Sequence, residues 1–349
     1  MIPWLGDLLQ PFFGPFRLLG SRVLLIGFGV TAAALLTWLL LPRLWKLLPR
    51  DHGRADAVAG QASIGKPVGA GLIFTLIYAI VCLLIVPFSA RSLELLGCAL
   101  LAMAEGFLDD RSRTGWSEYR LGAVDFAVSL LGAAAICQLH PVTMWLPFLK
   151  APFPVPVWIF MPIACVLIWL SINATNCTDG VDGLSGSLAS IALFYLGLIL
   201  YGVVGHPDIA RYLQVPHYPE AVSYAMLCFP MVGCLAGYLW HNAQPSAVLI
   251  GDAGSRPIGF LLGALVMGTG NPVLIIVIAG VVFANGATGL VKMALLRFFR
   301  IGIFTHVRLP LHDHARQRLG WSNTQVLLRF ALLQALGTPV LLLLVLKLR

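Results

Sequence analysis

Apolar runs close to the roughly 20 residues that cross a bilayer succeed one another along almost the whole chain. Ten stretches read as helical spans: approximately 18–41, 69–88, 93–108, 121–138, 155–172, 184–204, 222–240, 257–268, 273–298 and 326–346. The eighth is short and rich in glycine. The polar stretches between them are all short, which leaves no room for a large soluble domain and predicts one membrane domain over 1–349. Ahead of the first span, Trp4, Phe12, Phe13 and Phe16 stand among Pro3, Pro11 and Pro15 and read as an interfacial stretch. The expected fold is an all-α polytopic membrane protein.

Lys and Arg are distributed unevenly between alternate loops. The loops after the odd-numbered spans hold most of them, among them Arg54, Lys66, Arg111, Arg113, Arg256 and Arg308; the opposite loops hold only Arg91, Lys150 and Arg211. The positive-inside bias puts the first group in the cytoplasm and both termini on the periplasmic side, and an even number of spans is consistent with that. The same cytoplasmic loops carry nearly every polar cluster. A carrier or pore is expected to keep its ionisable groups near mid-membrane. A ring of them on one face suits an enzyme that joins a soluble substrate to a lipid.

Composition sharpens this picture. Of 349 residues, 59% are hydrophobic and 11% charged, with a net charge of +8 and a mean hydropathy of +0.88. The modest positive charge fits basic loops beside anionic lipid. No basic run is interleaved with aromatics in the manner of a nucleic-acid groove, so no nucleic-acid partner is expected. The seven cysteines form no CxxC pair and lie mostly within apolar runs, which predicts packing residues and neither a disulfide frame nor a zinc site.

Charge is scarce here, so its clusters carry information. The densest runs from Asn173 to Gly186 and holds Asn173, Asn176, Asp179 and Asp182 with three glycines. It reads as a polar loop handling a cation and a charged ligand, or as an Asx/Gly turn between two spans. Asp109 and Asp110 end the third span. Adjacent carboxylates make a hard, oxygen-rich site suited to Mg²⁺, and one of them can instead act as a base; a plain membrane-boundary cap is the alternative. Acids are unfavourable at a helix C-terminus because of the dipole, which tips the balance toward function. Gly251-Asp252-Ala-Gly254-Ser255 is a second acidic turn whose glycines allow close backbone approach. His312 and His314 flank Asp313 in a loop where imidazoles can meet pyrophosphate oxygens or move protons. Lys66 opens the second span as a point charge for phosphate or as a snorkelling anchor, without a Walker loop.

Together these clusters resemble the polyprenyl-phosphate N-acetylhexosamine-1-phosphate transferase superfamily. The resemblance runs from about Lys66 to Phe330 in the expected order. It rests on Asp109-Asp110, on Asn173-x-x-Asn176-x-x-Asp179-Gly-x-Asp182-Gly, on Trp240-x-Asn242-x-x-Pro245, and on Gly251-Asp252-x-Gly254-Ser255. The last piece, Pro310-Leu-His312-x-His314 followed by Gly320-Trp321-Ser322, is similar to the branch that transfers phospho-MurNAc-pentapeptide. The resemblance implies ten transmembrane helices and a cytoplasmic, Mg²⁺-dependent site in the bacterial inner membrane. UDP-MurNAc-pentapeptide would be the donor, undecaprenyl phosphate the acceptor, and lipid I and UMP the products. It also allows a homodimer. By position, Asp252 would be the main Mg²⁺ ligand. Asp109 and Asp110 would handle metal and lipid phosphate, with Asp109 as base or nucleophile. Asn173, Asn176, Asp179 and Asp182 would line the nucleotide and metal site, with Lys66 and Asn242 near the nucleotide. His312 would contact the pyrophosphate, with His314 beside it.

Three positions depart from that pattern. Asp313 interrupts a triple histidine, Leu249 replaces an aromatic residue that stacks on uracil, and Asn285 replaces an acid of the ninth span. They keep open a sister transferase specific for GlcNAc-1-phosphate and a catalytically weak paralogue. A transporter would have to work through Glu105 and Asp125, the acids closest to mid-span.

Overall fold

The computed structural model describes residues 1–53, 63–112 and 114–347. Arg54 and Arg113, two of the basic loop residues, lie outside them. Among these residues, fourteen α-helices follow in order: α1 Ile2–Leu9, α2 Arg22–Leu44, α3 Ala70–Ile85, α4 Ala90–Arg111, α5 Glu118–Cys137, α6 Val157–Thr178, α7 Leu184–Ile199, α8 Pro207–Tyr212, α9 Ala221–Asn242, α10 Asp252–Met267, α11 Leu274–Val282, α12 Thr288–Ala294, α13 Leu311–Arg318 and α14 Asn323–Lys347. A helix stands at each of the ten apolar stretches. Among the described residues, seven helical segments are long and apolar enough to cross a membrane by themselves. The other three fall short for identifiable reasons. Helix α4 carries Arg91, Glu94, Glu105, Asp109, Asp110 and Arg111, and α3 and α10 have 16 residues each, about 24 Å of helix.

Helix α10 is the axis of the bundle. All of its residues are buried, and α3, α4, α5, α6 and α7 all pack against it. Its neighbours reach it through glycine. A Cβ at Gly71 of α3 would lie 2.0 Å from the backbone nitrogen of Gly254, and one at Gly106 of α4 would lie 2.3 Å from the carbonyl of Asp252. These two helices therefore touch the backbone of the first turn of α10 directly. The outer surface is apolar, with Trp158, Leu328, Leu332, Leu336 and Leu343 exposed as expected of a lipid-facing wall.

The two ends of the bundle differ. At one, β1 (Val142–Met144) and β2 (Phe153–Val155) form an antiparallel hairpin in the register Val142 opposite Val155, and the Trp145 indole donates to the Thr269 carbonyl. At the other, α4, α6 and α9 end while α3, α7, α10 and α14 begin. Residues 67–71 pair there with 249–250: Leu249 N–H donates to Pro67 O, Ala70 N–H to Leu249 O and Gly71 N–H to Ile250 O. The exposed Trp4, Phe12 and Phe13 lie in or just after α1. All seven cysteines are free and six are buried, as packing residues should be.

Two expectations need correction. The stretch from Asn173 is not a loop throughout, because α6 continues to Thr178. Asn173 and Asn176 are helical, and Asn173 donates back to the Trp169 carbonyl one turn earlier. Arg256 is not a loop anchor. It lies within α10 and is only 3% exposed, for a reason that belongs to the site.

Candidate active site

The polar end gathers residues from six helices and the turns between them, and its geometry divides into three connected parts. The first is built on the N-terminus of α10. Gly251 has φ +69° and ψ 176°, a backbone state open to glycine and poorly open to other residues. It turns the chain so that Asp252 starts the helix. The first N–H groups of a helix have no intrahelical acceptor. Asp110 supplies one from the end of α4: its Oδ1 accepts from Asp252 N–H at 3.0 Å and its Oδ2 from Ala253 N–H at 3.0 Å. This carboxylate fills the anion position at the positive end of the dipole. Its own unfavourable place at the C-terminus of α4 is thereby compensated. Asp109 points elsewhere, and its Oδ1 accepts from Trp116 N–H in the following loop at 2.6 Å.

The Asp252 carboxylate is held as well. Arg256, one turn further along α10, donates to its Oδ2 from Nε at 3.1 Å and from Nη2 at 2.8 Å. The third nitrogen of the guanidinium, Nη1, lies 2.6 Å from Asp125 Oδ2 and 3.8 Å from Glu105 Oε1. Asn173 Nδ2 donates to the same Asp125 oxygen at 3.2 Å. Asn176 Nδ2 donates to Ser255 Oγ at 3.1 Å, joining α6 to the acidic turn. Glu105 and Asp125 are thus wired into the site.

The second part centres on Ser246. Its Oγ accepts from Lys66 Nζ at 3.0 Å and donates to Asp182 Oδ1 at 2.8 Å, while its N–H donates to Asp182 Oδ2 at 3.1 Å. Lys66 and Asp182 are brought together through one hydroxyl. Asn242 supports this part from behind. It is buried, its Oδ1 accepts from Gly183 N–H at 2.7 Å, and its Nδ2 donates to Val248 O at 2.7 Å. It clasps the turn after Asp182 to the turn before Leu249. Leu249 is half-buried and contributes its backbone to the pairing with residues 67–71.

The third part is His312, at the start of α13. Its N–H donates to Asn285 Oδ1 at 2.8 Å, and its Nδ1 lies 3.1 Å from Asn285 Nδ2 and 3.2 Å from Oδ1. Asn285 sits in a π-turn, Phe283–Ala287, a distortion that commonly marks functional positions. A Cβ at Gly180 would lie 2.2 Å from His312 Nε2, so the imidazole rests on the turn between Asp179 and Asp182. His314 faces its own loop, where its Nδ1 accepts from Arg308 N–H at 3.2 Å. Asp313 lies near Arg316, Arg308 and His312, at 3.7, 3.9 and 3.6 Å.

Comparison with known proteins places the chain. The profile of glycosyl transferase family 4 matches residues 92–270. The phospho-N-acetylmuramoyl-pentapeptide-transferase of Treponema pallidum (strain Nichols) is 46% identical over 345 residues, covering 98% of this chain and 95% of that protein. This chain belongs to the phospho-N-acetylmuramoyl-pentapeptide-transferase family. More distant relatives of the same name occur in Gemmatimonas aurantiaca, 33% identical over 238 residues and covering 63% of this chain and 62% of that protein. Another is in Bartonella quintana, 30% identical over 231 residues and covering 64% of each.

Within the family's histidine loop, burial sets the charge of His312. Removal from water pushes its imidazole down to about 4, against an opposing pull from Asp313. It is therefore a neutral hydrogen-bonding group at pH 7 and not a resident cation. Asn285 offers it an amide, whereas an acid there would favour the imidazolium. The folded chain takes up this proton less readily than the unfolded chain, whose histidine titrates near 6.5. Stability from this group is thus fully present above about pH 6.5 and falls as the pH drops toward 4. The melting temperature of the purified protein is expected to fall as the pH drops from 6.5 toward about 4, and His312→Gln should flatten that fall.

The residues to which sequence reasoning gave no role in the site are Arg256, Ser246 and Ser255, and it set Glu105 and Asp125 aside. Arg256 had a readable signal, because positions i and i+4 share a helix face and place it under Asp252.

Proposed function

We propose that the chain transfers phospho-MurNAc-pentapeptide from UDP-MurNAc-pentapeptide to undecaprenyl phosphate, giving lipid I and UMP at the cytoplasmic face of the bacterial inner membrane. The observation that carries this reading is the convergence, at one end of an apolar bundle, of an acidic centre on α10 with a Lys66–Ser246–Asp182 chain. A centre of that kind serves a water-borne anion and a membrane-borne anion at once. The ten helices would all cross, with α3, α4 and α10 completing the seven long spans and both termini on the periplasmic side. The basic loop bias supports that orientation without the contribution first given to Arg256.

The chemistry exchanges one phosphoanhydride for another. An oxygen of the lipid phosphate attacks the β-phosphorus of the sugar nucleotide, the bond to the α-phosphate breaks, and UMP departs with the electron pair. No ATP is consumed. Asp109, whose carboxylate does not cap a helix, would take a proton from the lipid phosphate. Asp110 serves by holding the first turn of α10. Lys66 and the Asp182 turn would bind the nucleotide, and Asn173 and Asn176 would brace the acidic centre from α6. His312, neutral and oriented by Asn285, would donate a hydrogen bond to the pyrophosphate, with His314 and Asp179 at the margins of its site.

Mg²⁺ fits this donor set. The ion usually takes one or two carboxylates and leaves its remaining positions to water and substrate phosphates. Asp252 would hold it, with Asp109 and Asp110 nearby. When bound, it would offset the repulsion between the two phosphates and the charge growing on UMP.

The test is UMP release by detergent-purified protein supplied with undecaprenyl phosphate and Mg²⁺. UDP-MurNAc-pentapeptide alone should support release. Release with UDP-GlcNAc alone would move the chain to the sister branch.

A further inference from the structure

We propose that Arg256 is the positioning residue for Asp252, locking its carboxylate for the metal and the transferred phosphate; this rests on the transferase reading above. The guanidinium is surrounded by three acids from three helices: Asp252 of α10, Asp125 of α5 and Glu105 of α4. One cation cannot satisfy all three, and the way its nitrogens are shared is informative. Two of the three go to a single oxygen of Asp252, at 3.1 and 2.8 Å. One goes to Asp125. Glu105 is left with no hydrogen-bond partner on either oxygen, and Asp125 Oδ1 has none.

If Arg256 served only to neutralise buried charge, its fork should favour the most deeply buried acids. It does the reverse. The Asp252 side chain is 7% exposed, against 3% for Glu105 and 0% for Asp125, and Asp252 receives the paired donors. The single contact to Asp125 fixes the other side of the guanidinium, and Asn173 fixes Asp125 in turn. A chain of hydrogen bonds thus runs from α6 through α5 to Asp252. Arg has a rigid planar fork and Lys a flexible point charge, so the two differ at such a site. Removing a group that orients a metal-ligating carboxylate typically costs 10- to 100-fold in metal affinity or activity, on the order of the effects known for such outer partners.

The test uses the full-length, detergent-purified protein and Mn²⁺ as the probe, with free Mn²⁺ read by electron paramagnetic resonance. UMP release and the melting temperature are measured in parallel. Arg256→Lys keeps the charge and loses the fork. The combined variant R256L/E105Q/D125N removes the buried charges around Asp252 and keeps Asp252 itself, so that it stays folded even if a single substitution does not. Asp252→Asn identifies the site. We expect Asp252-dependent Mn²⁺ binding in the unaltered protein, weakened about 10- to 100-fold by Arg256→Lys, with kcat reduced to a similar degree and the sugar-nucleotide KM nearly unchanged. The combined variant should recover the melting temperature and neither of the other two. Unchanged Mn²⁺ affinity and kcat in Arg256→Lys, recovery of both in the combined variant, or no Asp252-dependent binding at all would overturn the proposal. Asp252-dependent Mn²⁺ binding without UMP release would instead count against the transferase reading, and the Mn²⁺ comparison would still decide the role of Arg256.

Discussion

Asp252→Asn is expected to lower UMP release by at least about 10³-fold, with little change in melting temperature. The substitution is nearly isosteric, and Asn can still accept the Arg256 fork through its amide oxygen. The backbone N–H of residue 252 continues to bind Asp110. What it loses is the negative charge, the feature that a hard cation and a developing phosphate charge both depend on. Turnover in a fixed-time assay, with melting measured on the same preparation, checks this. A residual rate within about tenfold of the unaltered protein would mean that the acidic turn is only a helix start.

The second large effect is mechanical. Gly71→Ala should abolish activity and destabilise the protein severely, because the new Cβ would fall 2.0 Å from one backbone atom of Gly254 and 2.1 Å from another. No rotamer change relieves a clash with backbone, so α3 would have to move away from α10. Overpacking of this kind costs about 1–3 kcal/mol, more where nothing can give. The first turn of α10, which carries Asp252 and receives Asp110, would move with it. Gly97→Ala is the control. It lies in the middle of α4 with nothing within 4 Å of its Cβ position, and alanine is the better helix former. Heat inactivation in detergent should separate the two clearly, with Gly97→Ala at or above the unaltered protein.

Much of the fold was legible in the chain, and the limits have physical causes. The ten apolar stretches coincide with helices because burial in lipid demands long apolar runs with internal hydrogen bonds. The polar clusters proved to lie at one end, since alternate loops must share a side. The wiring between clusters was not legible. Asp110 and Asp252 are 142 positions apart, and nothing in either segment reveals that one caps the helix of the other. The positive-inside rule counts basic residues without regard to burial, and so places Arg256 among the loop charges. Asp125 and Glu105, which also face it, come from helices whose rotation the sequence leaves open. Asn285 was noted only as a missing acid, and its pairing with His312 follows from a π-turn that no residue pattern announced.

The most direct test of the central claim follows the two phosphates of the donor. UDP-MurNAc-pentapeptide is labelled separately at the α- and β-phosphorus and incubated with the purified protein, undecaprenyl phosphate and Mg²⁺. The account predicts that the β label passes into the lipid-extractable product and the α label leaves as UMP, in equal amounts, with both processes absent in Asp252→Asn. Release of both labels together as UDP would mean that only the sugar is transferred and would contradict the account.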